Sequence, residues 1–443
     1  MRDVFVGGKE YFRGIGRIGY EGPHSDNPLA FKFYEPARMV GDRTMEEHLR
    51  YSVAYWHSFC ADGKDPFGNA TMEFPWSDRD PMKSANQKAE AAFEFMSKLG
   101  TPFYAFHDAD VAPEGDTPAE YVDNYLKVAE TLKELQDITG IRLLWNTSNL
   151  FSNPRYMNGG ISNPEFSALS RAAVQVKTSL DVNVLLGGLG YTFWGGREGY
   201  MSLWNTDMGR ELDHLGRFFS LARDYGRSIG FKGAFYIEPK PMEPSKHQYD
   251  YDAATTIGFI RKYGLEHDFS CNIENNHATL AGHSFAHDLT VCATEGLLGS
   301  VDANQGDAQN GWDTDEFPSD VYQTTEAMTV ILKNGGFTTG GLNFDAKRRR
   351  NSTDLEDLFI SHIGGMDAFA LGLTIAHRLL EDGKLEQMKR ERYASFDTGD
   401  GRAFEEGRLS LQDIAEIGMK VTDTKISGKQ ELIQNIINQY MFS

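Results

Sequence analysis

The chain has 443 residues with 44 basic and 64 acidic side chains, a formal net charge of -20. That length admits two or three average domains or one large α/β barrel with extensions. The charge excludes nucleic acid and anionic membrane surfaces as natural partners and suits an enzyme that binds cations. Cys60, Cys271 and Cys292 form no CxxC pair and are odd in number, which predicts reduced, packed thiols. The opening MRDVFVGGKEYF lacks an apolar signal core, and no run reads as the roughly 20 apolar residues of a membrane span, so the cytoplasm is the expected compartment.

Residues 1–48 are polar and rich in Gly and Pro, with one apolar patch, LAFKFY, at Leu29 to Tyr34, and read as an arm lying on the body. The formal GxGxxG at Gly14 to Gly19 follows no strand and opens no helix, so it does not read as a dinucleotide site. Over 49–379, eight short apolar or β-branched runs recur: YSVAYWHSF, PFYAFHDAD, IRLLWNTS, VNVLLGGLG, GAFYIEPK, FSCNIENN, LLGSVDAN and GGLNFDAK. Helical patterns fill the intervals. After PEGDTPAEY, Thr117 can cap, Pro118 takes the first helical position and Glu120 offers a capping box. Eight such units predict a (β/α)8 TIM barrel rather than an open doubly wound sheet. Residues 380–443 turn helical and polar, with apolar faces on LSLQDIAEIGMK and KQELIQNIINQYM that predict a helical arm for subunit contacts.

In such a barrel the chemistry sits on the loops after the strands. The polar residues there are dominated by acids: His107 and Asp110, Trp145 and Thr147, Glu238 and Lys240, Glu274 and His277, Asp302 with Asp313 and Asp315 in its loop, and Asp345. Glu238 and Lys240, two apart, share a strand face, and Glu274 and His277 converge where a strand gives way to a helical turn. Any one of these acids has an ordinary reading as a cap or a solvated loop residue. So many at one end point to a metal site, and oxygen ligands suit Mg, Mn or Co better than zinc.

The stretch VDANQGDAQNGWDTDE, Val301 to Glu316, spaces four aspartates, but as an EF-hand its Gly306 comes one place early and Asp313 stands where the long Glu belongs. HSFAH at His283 to His287 has zinc-protease spacing without the Glu, and GHSFA matches a nucleophile elbow only loosely. The basic run Lys347 to Arg350 reads as a solvated loop or subunit contact.

Two ions sharing one bridging Glu could polarise adjacent substrate oxygens, a lysine could neutralise a developing charge, and His107 beside Asp110 is a proton carrier. Aromatic side chains at strand ends, Trp56, Phe67, Trp145 and Trp194, offer flat walls for a carbon skeleton, and no phosphate cradle is evident. The substrate class that fits is a neutral polyol.

These residues resemble the xylose isomerase family in its longer bacterial form with an N-terminal extension. The resemblance spans essentially the whole chain and rests on DPFG at Asp65, FHDAD at Phe106, WNTSNLF at Trp145, WGGREGY at Trp194, IEPKP at Ile237, ENNHATLAGH at Glu274, the aspartate stretch and NFDAK at Asn343. It implies a homotetramer whose C-terminal arm wraps a neighbour, and two divalent cations (Mg2+, Mn2+ or Co2+) per subunit. Glu238, Glu274, Asp302 and Asp345 would hold the first; Glu274, His277, Asp313 and Asp315 would hold the second.

On the same resemblance, His107, oriented by Asp110, would open the pyranose and Lys240 would hold the oxygen at C1. A hydride would move from C2 to C1, interconverting D-xylose with D-xylulose and, less well, D-glucose with D-fructose. Trp56, Trp145 and Trp194 would line the pocket, Thr147 would lie beside the sugar, and Phe67 would reach in from the adjacent subunit. Thr192 resembles the position at the far end of the sugar and, with Trp145, leads to an expected pentose preference. A proton-transfer epimerase on the same fold and a metal-stabilised carbohydrate-binding protein are the alternatives.

Overall fold

The computed structural model describes residues 7–442; residues 1–6 of the expected N-terminal arm and Ser443 lie outside the described residues. Eight strands are β1 (Ser52–Ala54), β2 (Phe103–His107), β3 (Arg142–Thr147), β4 (Gly190–Trp194), β5 (Ala234–Glu238), β6 (Phe269–Glu274), β7 (Leu298–Asp302) and β8 (Leu342–Phe344). They pair in parallel, each with the next, and β8 returns to β1 through Asn343 and Ser52 to close the barrel. Strands buried on both faces need no polar alternation. FYAFH in β2 accordingly has all five residues buried.

The principal helices that follow are α1 (Pro81–Leu99), α2 (Pro118–Thr139), α3 (Phe166–Leu186), α4 (Met208–Ser228), α5 (Ala253–Lys262), α6 (Phe285–Thr294), α7 (Val321–Lys333) and α8 (Leu355–Asp382). Local chemistry fixes their ends. Asp80 caps α1 by accepting from Met82 N and Lys83 N, with Pro81 in the first turn. Thr117 caps α2 through Glu120 N, but the Glu120 carboxylate accepts from Asp116 N, one residue before the cap, so the expected box is displaced by one.

The run VNVLLGGLG is not the fourth strand. Val182 to Leu186 form the last turns of α3, which Gly187 ends at φ 65°, and the strand is the GYTFW that follows. A short apolar run reads alike as buried helix or buried strand, and here the glycine marks the helix C-terminus.

The N-terminal segment is tied to the barrel by charge. The Glu94 carboxylate accepts from Tyr11 N and Phe12 N, and Asp367 on α8 accepts from Lys32 N, Phe33 N and Tyr34 N. Ala30, Phe31 and Tyr34 of the LAFKFY patch are buried.

Helix α8 is long and apolar enough by length and composition to cross a membrane, unlike the expectation that no such segment exists; 72% of its most apolar window is packed inside the fold. It runs to Asp382, three residues past the expected end of the barrel. Beyond it lie helices Lys384–Tyr393, Gly399–Glu405, Leu411–Gly418 and Gln430–Met441. The last returns to α8, where the Arg378 guanidinium lies 5.4 Å from the Tyr440 ring.

Candidate metal centre and sugar pocket

The carboxylates converge because the strands end at matched heights. Trp194 is paired with Glu238, Glu274 with Asp302, and Asp302 with Asn343. Ligand atoms of Glu238, Glu274, Asp302 and Asp345 lie within 4.8 Å of one another, as do those of Glu274, Asp313 and Asp315. Glu274 belongs to both groups. His277, on the short helix Asn275–Leu280, turns back so that Nε2 is 3.1 Å from Glu274 Oε2 and 3.3 Å from Asp313 Oδ2.

Burial and mutual repulsion hold these acids away from their ordinary ionisation. Burial, then Asp302 and Asp345, raises Glu238 well above the usual carboxyl range, and burial with Asp313 and Asp345 does the same to Glu274. Asp302 is pushed up to about 7 by burial and by Asp345. Asp315 goes the other way: burial opposes its charge, but His57 and Lys347 outweigh it and hold the carboxyl well below the usual range.

Asp313 Oδ1 and His277 Nδ1 are buried without a hydrogen-bond partner, and Glu274 Oε2 has the His277 imidazole beside it but no hydrogen bond in line. Crowded carboxylates with acceptor atoms left over, plus one imidazole, form a donor set that fits divalent cations with a preference for oxygen ligands.

Buried amides brace the cluster. Asn272 Nδ2 donates to Glu238 (3.1 Å) and Asp302 (2.7 Å), Asn343 Nδ2 to Asp302 (2.8 Å), and Asn304 Nδ2 to Glu274 (2.8 Å). Each fixes a carboxylate while leaving lone pairs free for a cation. Asp315 sits at φ 45°, a left-handed conformation that Asp tolerates better than most residues.

Above the acids is a cavity of about 210 Å³ walled by Trp56, Trp145, Phe151 and Trp194. That volume is below the roughly 300–1,000 Å³ of drug-sized pockets and limits the ligand to a small molecule. The Trp56 ring is 4.7 Å from His107, and Phe151 meets Trp194 edge-on at 4.5 Å. His107 Nδ1 is 3.0 Å from Asp110 Oδ2, which also accepts from His107 N. Burial alone would lower the His107 pKa, but the Asp110 carboxylate outweighs it and leaves it raised. The Lys240 ammonium contacts Asp313 Oδ2 at 2.6 Å and lies 5.3 Å from the Trp194 ring. Its pKa is likewise raised: burial opposes the charge and Asp313 outweighs it.

The sequence model described as XylA2 C-terminal domain matches residues 389–441. Xylose isomerase 1 of Xanthomonas axonopodis pv. citri (strain 306) is 58% identical over 439 residues, 99% of this chain and 100% of that protein. The xylose isomerase of Xanthomonas oryzae pv. oryzae (strain MAFF 311018) is 58% identical, covering 99% of each. The chain belongs to the xylose isomerase family. It is therefore an aldose-ketose isomerase. A solved putative xylose isomerase from Rhodospirillum rubrum ATCC 11170 shares the barrel with a TM-score of 0.51 at 12% identity, covering 72% of this chain and 98% of that one.

Most of the residues singled out from the sequence meet at the barrel mouth of this xylose isomerase family member. Trp56, His107, Trp145, Thr147, Trp194, Glu238, Lys240, His277, Asp313, Asp315 and Asp345 line the cavity. Glu274 and Asp302 are buried in the carboxylate group, and Asp110 holds His107. Two are not brought together with the rest. Thr192 is fully buried and pairs with Tyr236, one side-chain layer below the Trp194 and Glu238 pair, and it does not line the cavity. Phe67 is 80% exposed on an outer loop, its ring 5.7 Å from Trp312.

Several residues were missed. His57, on the single π-helical turn Trp56–Cys60, places Nε2 2.8 Å from Asp345 and 3.3 Å from Asp315. Its position beside Trp56 at a strand end was the available signal. Phe151 lay inside the quoted WNTSNLF, and asparagines in otherwise apolar strands, Asn272 and Asn343, are the mark of a buried polar brace. The basic run at Lys347 to Arg350 is not a solvated loop: Lys347 Nζ donates to Asp315 (2.8 Å), and Arg349 Nη2 to the carbonyls of Thr314 and Asp315 (2.7 Å each). Arg350 reaches across to the Phe67 loop, 3.3 Å from Asp65 Oδ2. Cations there balance the acidic loop locally, which the chain's net charge conceals.

Proposed function

We propose that this chain interconverts D-xylose and D-xylulose, and less efficiently D-glucose and D-fructose, by ring opening followed by hydride transfer from C2 to C1 within the substrate. The supporting observation is the set of three overlapping ligand groups that share Glu274, one of them including His277, beneath a small aromatic cavity holding His107 and Lys240. Glu238, Glu274, Asp302 and Asp345 would hold one cation, and Glu274, His277, Asp313 and Asp315 a second, with Mg2+, Mn2+ or Co2+ the suited ions. When bound, they supply Lewis-acid polarisation of the sugar oxygens.

His107, fixed by Asp110, exchanges a proton with the ring and C1 oxygens as the pyranose opens. Lys240 holds the oxygen at C1 and neutralises negative charge that develops there. As hydrogen moves from C2 to C1, the proton leaves the oxygen on C2 and one is gained by the oxygen on C1, so aldehyde becomes alcohol and alcohol becomes ketone. Trp56, Trp145, Phe151 and Trp194 wall the reacting carbons, and a hydrogen that passes directly between them as hydride does not exchange with solvent. Of the two residues behind the expected pentose preference, Trp145 stands on the cavity wall and supports it, while Thr192 lies a layer below.

The working assembly in this reading is a homotetramer in the cytoplasm. Exposed Phe67, Leu411, Met419 and Ile426 would be covered by neighbouring subunits, Phe67 at the edge of a neighbour's pocket.

The test is NMR on metal-stripped protein given D-xylose in heavy water, with and without Mg2+ or Mn2+. Xylulose formed only with metal and without deuterium at C1 is expected. Solvent deuterium at C1 would replace hydride transfer by an enediol route, and absence of product with every ion would overturn the assignment.

A further inference from the structure

Outside the barrel mouth, a second cluster mixes nitrogen and oxygen donors. Ser284 caps α6 by accepting from His287 N, so His283, the residue just before the cap, meets His287 in the first turn with rings 4.6 Å between centroids. One ligand atom from each of His283, His287 and Asp288 lies within 4.8 Å of the others. Asp288 is buried, while His287 is exposed and gives an ion a way in. Asp252 Oδ2 lies 3.2 Å from His283 Nε2, the carboxylate partner that commonly orients a ligating imidazole.

We propose that His283, His287 and Asp288 form a further metal site, for a transition-metal dication of the zinc or nickel type. Two imidazoles and one carboxylate favour such ions over Mg2+, in contrast to the oxygen-rich catalytic cluster. The site links two loops of the active face. Asp252, which pairs with His283, caps α5, and that helix follows the loop bearing Lys240. His283 follows the segment that carries Glu274 and His277. An ion here fixes His283 against Asp252, ties the loop after β6 to the loop after β5 through that pair, and raises the melting temperature without touching the sugar pocket.

The experiment dialyses Mg2+-loaded enzyme against micromolar Zn2+ and measures zinc per chain by atomic emission, together with the zinc-dependent shift in Tm. Wild type is compared with His283→Ala/His287→Ala and with His287→Ala alone, whose exposed side chain can be removed without disturbing packing. The expected result is one zinc fewer per chain in the double variant, at least a tenfold weaker uptake of that equivalent in the single variant, and loss of the zinc-dependent Tm gain, with Mg2+-supported isomerase activity unchanged. Equal zinc content and equal Tm shifts in wild type and His287→Ala would overturn the proposal, whatever the folding of the double variant.

Discussion

The imidazole of His57 and the carboxylate of Asp345 meet at 2.8 Å, Nε2 to Oδ1, on a turn that also brings the ring to 3.3 Å from Asp315. Burial would lower this histidine, but Asp345 and Asp315 outweigh it and raise its pKa to about 9. The ring thus braces one member of each carboxylate group, leaving their other lone pairs for a cation. His57→Gln should weaken Mn2+ binding by about 10–100-fold, the usual effect of losing an outer-shell partner. Calorimetric titration in the absence of sugar reads this directly, and wild-type affinity in the variant would refute the bracing role.

Metal-free protein should carry protons in the cluster at neutral pH. Glu238 and Glu274 are raised well above the carboxyl range and Asp302 to about 7. Folded-state values above the unfolded ones contribute stability that is complete below the unfolded pKa and is lost as pH rises through the folded pKa. The Tm of chelator-treated protein should therefore fall between pH 5 and pH 8, while metal-loaded protein holds nearly level. Adding Mn2+ at pH 6.5 should release protons, because ligands bind deprotonated. A pH-stat that records no release would contradict this account.

Lys240 is buried between Asp313 and the Trp194 ring, with little freedom to do anything except present its ammonium to the cavity. Lys240→Met should lower kcat by on the order of 10²–10³-fold, the scale for removing one donor that stabilises developing negative charge. Calorimetry should show metal affinity changing far less than kcat. A variant that loses metal binding in proportion to activity would make Lys240 a prop for Asp313 instead.

How much of this was legible depends on whether the signal was local. The barrel could be read because strand and helix runs alternate at even spacing, and the acid-bearing strand ends because acids follow apolar runs. The fourth strand was misplaced because VNVLLGG carries buried-helix and buried-strand signals alike, and only Gly187 marks the boundary. Thr192 is two residues from Trp194 on the same face, yet sequence does not say how deep in the barrel a layer lies. Asn304 and Lys347 act on groups far from them in the barrel, so nothing in their own neighbourhoods announces them, and the local signal for His57 is only its place beside Trp56 at a strand end.

Asp250 offers a pH test free of the metal cluster. It lies in the loop after β5, with Oδ1 buried and unpartnered, and its other oxygen would stand 2.6 Å from any Cβ placed at Gly195. Burial, with help from Glu198, pushes its carboxyl up to about 7. The group is raised on folding, so its favourable contribution is present at low pH and is lost as pH passes 7. At pH 8 the wild type holds a buried charge that an amide of the same shape lacks. Asp250→Asn should therefore stabilise the metal-loaded enzyme more at pH 8 than at pH 5, by on the order of 2 kcal/mol, because the native carboxyl is neutral at pH 5 and ionised at pH 8. Thermal melts of both proteins at the two pH values decide it: a stability difference that does not change with pH would mean that Asp250 stays ionised in the fold and that a cation or water pairs with its buried oxygen.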